Sequence, residues 1–564
     1  MKRIVLSVMI CGICGIGLAQ SYFPTNGVQD ERPSTYALIN ATLYRDYQTR
    51  IENATLLISE GKVVASGAAV AIPQGAQLID LDGKYIYPAF VDPYSNYGLP
   101  QVKSSGGWGG GPQYDTKTKG AVGWNEAIKS EYEASSEFEV NVKEADALRK
   151  SGFGSVTSHK MDGVHRGASV FTNLGEGTEH ENVLKHKASG HFSFNKGSSR
   201  QAYPSSIMGM VALIRQTYLD AEWYASQGNE THTNLSLFAF NQLKSVPQVF
   251  EANGGKLRVL LADKIGDEFG IQFIVKGNGD EYQRLDEIQR TNASLIIPVD
   301  FPTAYEVSDP LEALNISYAD LKHWEIAPAN PKMLNEKGID FSFTAHGLKK
   351  KSDYLTNIRK SVEYGLPVTA ALKAMTFTPA TQMRMQSKVG SLTTGKFANF
   401  IITSHDLFGK KIPEIHQTWI AGKKYEYKPL NKIDHSGSYE LSLGDSTYTL
   451  VIEDGQKASL KINDSTKIKV DFKVDGKVIK LGFSPKGTSK AYRLSGWISS
   501  EGFKGNGVDG DEAWISWSAA AKDTEEKDKE ETKEEENNAE VSFGDIVYPF
   551  AAYGWKTAPK QEDI

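Results

Sequence analysis

Where short apolar runs of this chain end, polar residues gather: His159, Asp162, His165 and Arg166, then His191 with Lys196, Ser198 and Ser199, then Glu251, Lys276, His323 with Glu325, and His346. Imidazoles and carboxylates in this mixture can hold a divalent ion such as zinc, which lowers the pKa of a bound water until it can attack a polar bond. None of the histidines forms an H-E-x-x-H or comparable pair. The same residues therefore also fit ordinary work as helix caps, backbone partners and water-facing side chains. Both readings stay open for His159, Asp162, His191, Glu251, Lys276, His323, Glu325 and His346. Thiol chemistry is not expected in an exported chain, because the two cysteines, Cys11 and Cys14, lie within the first twenty residues, which read as a cleaved signal.

The elements that must position these residues change character along the chain. Tyr36 to Phe90 reads as short β-branched runs broken by Gly, Asn and Asp, which predicts a small β structure. From about 85 to 390, apolar runs alternate with helical periodicity, the pattern of repeated βα units. Strands are expected at Tyr85 to Asp92, Gly154 to Ser158, Val246 to Glu251, Ile271 to Lys276, Ser294 to Val299 and Asp340 to Thr344. Helical spacing links Ile207, Val211, Ile214 and Tyr218, and again Leu257, Leu261, Ile265 and Phe269. A second β-rich section, about 434–518, alternates strictly and carries Asp454-Gly455 and Asp475-Gly476 as hairpin signals, predicting an antiparallel β domain, a sandwich or small barrel. Its Trp497, Trp514 and Trp517 are expected in that domain's core rather than in a carbohydrate platform. The Ser105 to Pro112 run is glycine-rich without phosphate-loop spacing, and reads as a plain loop or a flexible lid.

The two ends bear on location and partners. Lys2 and Arg3, an apolar run to Ile16 and the small residues Gly17 to Ala19 read as a secretory signal over 1–19, so a secreted or periplasmic protein is expected, with no membrane contact after cleavage. Residues 522–540 hold ten acids against four lysines and account for the whole formal charge of −6; they read as a disordered linker before a tail at 541–564. No basic stripe stands out in the sequence, so nucleic acid is not expected as a partner.

Three segments together resemble the amidohydrolase superfamily, in particular its imidazolonepropionase-like branch. They are Ile51 to Gly67 (IENATLLISEGKVVASG), the strand Pro88 to Asn96 (PAFVDPYSN), and Ala370 to Phe400 with its Thr-Pro-Ala and Gly-Ser-Leu-Thr-Thr-Gly-Lys run. The resemblance implies a (β/α)8 TIM-like barrel over 85–396, a small β-sandwich built from 34–84 and 397–428, and any active site at the C-terminal ends of the barrel strands. It also implies a metal-dependent hydrolase of C–N bonds, with ligands from strands one, four, five, six and eight. Here those positions read Tyr94 and Asn96 for the paired histidines, Ala252 after strand five, Lys276 on strand six and His346 for the catalytic aspartate, while Asn399 replaces a common Asp in the closing segment.

A phenol, an amide and an ammonium do not substitute for imidazoles, so no metal or other cofactor is expected at that place. The expectation is an exported, non-catalytic module supporting a separate catalytic amidohydrolase, or pairing with a second copy of itself. The segment VSFGDIVYPFAAYGW resembles the approach to a second module's opening strand. Two alternatives are a hydrolase with a relocated zinc site built on His346, His159 and His323, and a small-ligand-binding protein that uses the barrel mouth.

Overall fold

The computed structural model describes residues 35–522 apart from 103–110, 228–231, 431–434, 445, 454–456, 464–465, 476, 485–489 and 500–501. The expected signal at 1–19, most of the glycine-rich run, the expected hairpin residues Asp454, Gly455 and Gly476, and the acidic run and tail from 523 lie outside the described residues. The described chain divides into two compact units at Lys428 and Pro429.

The first unit opens with β1 (Thr35–Tyr44), β2 (Arg50–Ser59), β3 (Lys62–Gly67), β4 (Gln77–Asp80) and β5 (Tyr85–Pro88). Between β2 and β3, Glu60 and Gly61 both have positive φ, 49° and 76°, which suits a two-residue hairpin to the strand twist. A Cβ on Gly61 would sit 2.6 Å from the Ala421 carbonyl oxygen, so the close approach also requires glycine.

Next come β6 (Phe90–Ser95), β7 (Phe153–Ser158), β8 (His165–Ala168), β9 (Val170–Asn173), β10 (Val183–Lys185), β11 (Gly190–Ser193), β12 (Gln248–Glu251), β13 (Ile274–Lys276), β14 (Leu295–Pro298) and β15 (Phe341–Thr344). The strand expected over Tyr85 to Asp92 is thus two strands divided at Ala89. β5 pairs with β1 and with β16 (Phe400–Thr403), whereas β6 pairs with β7. With β17 (Ile415–Ile420) and β18 (Lys423–Glu426), these strands form one eight-stranded sheet in the order β18-β17-β16-β5-β1-β2-β3, with β4 on β1. The two flanks of the unit therefore meet in a single sheet.

The remaining strands form a four-stranded sheet, β10-β9-β7-β6, and a six-stranded sheet, β15-β14-β13-β12-β11-β8. β11 to β15 are parallel to one another, as are β6 and β7. β8 and β9, separated by Ser169 alone, run against their neighbours β11 and β7. The cause is length: residues 159–164 are too few for a crossover helix, and a short connection returns the chain antiparallel. Asp92 of β6 accepts hydrogen bonds from Thr344 Oγ1 (2.7 Å) and the Ala345 amide (3.1 Å), which ties β6 to the end of β15.

Helices pack by their apolar faces. Ile207–Ser226 is capped by Ser206 and buries Val211, Ile214 and Tyr218, as its spacing predicts. Lys256–Phe269 instead buries Val259, Ala262 and Ile265 and leaves Leu257 exposed, so the buried stripe is rotated from the leucine repeat. In the closing segment Pro379 sits in the first turn of Thr378–Gln382, after a π-helical turn at Lys373–Phe377.

The second unit is a closed antiparallel barrel of eight strands in sequential order: β19 (Gly437–Leu443), β20 (Ser446–Glu453), β21 (Lys457–Asn463), β22 (Thr466–Asp475), β23 (Val478–Phe483), β24 (Tyr492–Ser499), β25 (Gly502–Val508) and β26 (Trp514–Ala521). Alternate residues such as Leu441, Leu450, Leu460, Val470, Leu481, Leu494, Phe503 and Trp517 fill its interior. Trp497 and Trp514 face outward, 51% and 81% exposed, so only Trp517 is a core residue; strand alternation outranks side-chain type.

Candidate functional site

Strand register assembles the centre of the first unit. Ser193, Glu251 and Lys276 are neighbours across β11, β12 and β13, at the C-terminal ends of those strands. From the antiparallel β8, Arg166 reaches the same point. Its Nη2 donates to Glu251 Oε2 at 2.7 Å and its Nη1 donates to the Tyr94 hydroxyl at 2.8 Å. Ser193 Oγ donates to the same Glu251 oxygen at 3.4 Å, and Lys276 Nζ lies 3.7 Å from Glu251 Oε1 and 5.7 Å from the Tyr94 ring centre. Arg166 is 3% exposed and Glu251 8%, so both charges are taken from water and must compensate each other.

Imidazoles surround Tyr94. His159, just past β7, stacks on His191 of β11 with ring centres 3.7 Å apart and meets the tyrosine edge-on at 4.5 Å. His346, just past β15, meets Tyr94 edge-on at 5.1 Å. Beyond His346 is a small cavity of about 60 Å³, lined by Asp92, Asn96, Glu144 and Lys351 among others.

The electrostatics favour a fixed charge pattern. Burial raises the Glu251 carboxyl, but Arg166 and Lys276 outweigh it and hold the group down at about 2. Burial lowers Lys276 despite Glu251, since that anion is shared with Arg166, which also repels the ammonium. Burial, helped by the neighbouring cations, pushes His346 down to about 4 and His159 and His191 well below the ordinary histidine range. Burial also pushes the Tyr94 phenol well up. At neutral pH the centre is therefore guanidinium, carboxylate, phenol and neutral imidazoles, with Lys276 at its edge.

These residues do not fit a metal ion. The carboxylate is committed to the guanidinium, and the Tyr94 hydroxyl accepts from that guanidinium instead of ionising. His191 Nε2 bonds Ser189 Oγ at 2.9 Å, and His159 Nε2 faces Arg166 Nη1 at 3.5 Å. Among the described residues, no group of three or more His, Cys, Asp or Glu is arranged to hold a metal.

The other expected site residues lie elsewhere. Asp162 pairs with Lys129 and accepts from Ser198 Oγ at 2.7 Å. This cluster borders a cleft of about 270 Å³ lined also by Glu126, Glu131 and Ser199. His165 packs between Phe192 and Phe240 and is held near 3 by burial. His323 stacks on Tyr282, whose hydroxyl is 3.2 Å from Nδ1, and Glu325 bonds Lys322 at 2.7 Å while 40% exposed. The trio His346, His159 and His323 is thus not brought together: His159 and His346 meet around Tyr94, and His323 belongs to the Tyr282 pair. The Ala252 amide donates to the Lys276 carbonyl, as strand pairing requires. Asn399 acts in the fold, donating to Asn173 (2.8 Å) and Ser155 (3.2 Å) and accepting from the Ala421 amide (2.8 Å). Arg166 was among the polar residues gathered at the strand ends, but its central role, bonding both Glu251 and Tyr94, was not legible in the sequence.

Residues 326–425 match the model of the Amidohydrolase family. The likeness is to amidohydrolases. An amidohydrolase from Thermotoga maritima MSB8 superposes with a TM-score of 0.55 at 20% identity, over 70% of this chain and 100% of its own. An N-acetylglucosamine-6-phosphate deacetylase from Pasteurella multocida is also similar, at 13% identity, a TM-score of 0.31, and 70% and 100% coverage. No curated protein matches the sequence. The amidohydrolase-type segment includes β15 and the closing run to β18, the part that carries His346 and Asn399.

Proposed function

We propose that this chain is a non-catalytic amidohydrolase-type module, exported from the cell, whose first unit keeps a (β/α)8 barrel plan with an inverted third strand. Tyr94, Arg166, Glu251 and Lys276 occupy the ground where the family binds its metal. The observation that carries the reading is the Arg166 to Glu251 pair: a buried guanidinium supplies fixed positive charge at that place, and the carboxylate and phenol are used to hold it. A protein cation of this kind cannot exchange ligands with water or activate one for attack, so the centre stabilises the strand ends rather than doing chemistry. The module would then act beside a catalytic amidohydrolase or a second copy of itself.

The test is an assay of the purified mature chain on amide and cyclic-amide substrates, with added zinc or manganese and with chelator. No turnover is expected under any condition, and chelator-sensitive hydrolysis would overturn the reading. A second reading, small-ligand binding, draws on the cleft beside Lys129, Asp162 and Ser198. Thermal-shift screening with peptides, ureides and sugars separates the two, since a ligand that binds only the folded state raises Tm.

A further inference from the structure

The outer face of the second unit carries a surplus of positive charge, although Lys457 lies opposite the exposed Asp471 in the ladder. Outward positions of β21, β22, β23 and β25 hold Lys457, Lys469, Lys473, Lys480 and Lys504, all exposed, and among the described residues none of the five makes an ion pair. Lys473 lies directly opposite Lys480 in the ladder, an arrangement that repels unless an anion covers it. A cavity of about 570 Å³ opens on this face, lined by Lys457, Lys469 and Lys473, with Asp471 as its one acid. In the sequence these lysines are hidden, because each alternates with an inward apolar residue and none stands in a run.

Chain direction shows what can cover the face. In an antiparallel barrel of sequential strands, the end of β26 shares a rim with the β20–β21, β22–β23 and β24–β25 hairpins. Ala521 pairs with Tyr439 at the start of β19, and those hairpins close at Glu453 and Lys457, Asp475 and Val478, and Ser499 and Gly502. Lys457 stands at that rim, and Lys473, Lys480 and Lys504 lie two residues from its hairpins. Residues 523–540 follow β26 directly and carry ten acids against three lysines. Fully extended, that segment spans about 60 Å. β22 and β26 are four strands apart around the barrel, about 20 Å at the usual strand spacing.

We infer that the acidic segment 523–540 folds back over the lysine face of β21 to β23 and occupies the cavity beside Lys457, Lys469 and Lys473, neutralising it within the same chain. The interaction is electrostatic and sequence-tolerant: carboxylates meet ammonium groups, and salt screens them.

The test uses the full chain and a full-length variant in which all ten acids of 523–540 are changed to Asn or Gln. Zero-length carbodiimide cross-linking with mass spectrometry should join the acidic segment of the unaltered chain to Lys457, Lys469, Lys473 or Lys480, with at least a five-fold loss of those links at 0.5 M NaCl. Heparin should bind the neutralised variant about ten-fold or more tightly than the unaltered chain at low salt. Cross-links falling chiefly on lysines of residues 35–428, or equal heparin affinity of the two chains, overturn the inference. It is also overturned if single-stranded DNA binds both chains equally, because the face is then open to an external polyanion.

Discussion

Replacing Arg166 by Met should expose how much of the first unit rests on its buried guanidinium. The side chain makes two charge-assisted contacts, 2.7 Å to Glu251 and 2.8 Å to Tyr94. After removal, Glu251 keeps Lys276 at 3.7 Å and Ser193 at 3.4 Å, both too long to replace what is lost. Breaking a buried pair while leaving one charge behind costs about 3 to 5 kcal/mol. Glu251→Leu alone strands the arginine and should cost a similar amount. The double variant removes both charges, and its cost should fall at least ~2 kcal/mol below the sum of the single costs. Urea unfolding followed by pulse proteolysis, with fragments of the first unit read separately from the β-barrel, gives these numbers. A loss under ~1 kcal/mol for Arg166→Met, or strict additivity in the cycle, would refute a structural role for the pair.

Acid should weaken the first unit before it affects the barrel. His346 is neutral in the fold with its pKa depressed to about 4, and His159 and His191 are depressed as well. The unfolded chain takes up protons below its ordinary histidine pKa, so stability is full above about pH 6.5 and declines as pH falls toward 4. For His346 alone the decline is about 3 kcal/mol, and His346→Gln should flatten the urea midpoint against pH over that window; an unchanged slope would contradict the assignment. Gly167→Ala should destabilise by about 2 to 4 kcal/mol, because φ is +72° and the new Cβ would lie 2.1 Å from the Tyr132 carbonyl oxygen; a change under ~1 kcal/mol in chemical denaturation would show that the loop yields. Asn399→Ala should cost about 1 to 3 kcal/mol by leaving the Ala421 amide without its partner, while Asn173 keeps Ser155, and wild-type hydrogen-exchange protection at Ala421 would argue otherwise.

Strands were legible where apolar runs are bounded by turn residues, as at Gly154 to Ser158 and Asp340 to Thr344, and so was the meeting of the two flanks of the first unit. The antiparallel course of β8 and β9 was not, since only the short connection 159–164 sets them apart from parallel strands. Site assembly was harder still. Ser193, Glu251 and Lys276 become neighbours through register alone, and their separations in sequence follow no period. Arg166 stood among the polar residues at the strand ends, but only β8 shows that it lies at their centre. His323 and Glu325 stood out by residue type, yet nothing in sequence shows that they belong to Tyr282 and Lys322. Burial and geometry, not composition, decide which of several similar side chains faces a common point.

Metal content of the purified chain, grown with zinc, manganese and iron available, tests the central claim most directly. With Arg166, Glu251, Tyr94 and Lys276 filling the centre, elemental analysis should find well under one ion per chain, unchanged by chelator treatment. One or two ions per chain, lost together with hydrolytic activity on chelation and absent from Glu251→Gln, would contradict the account.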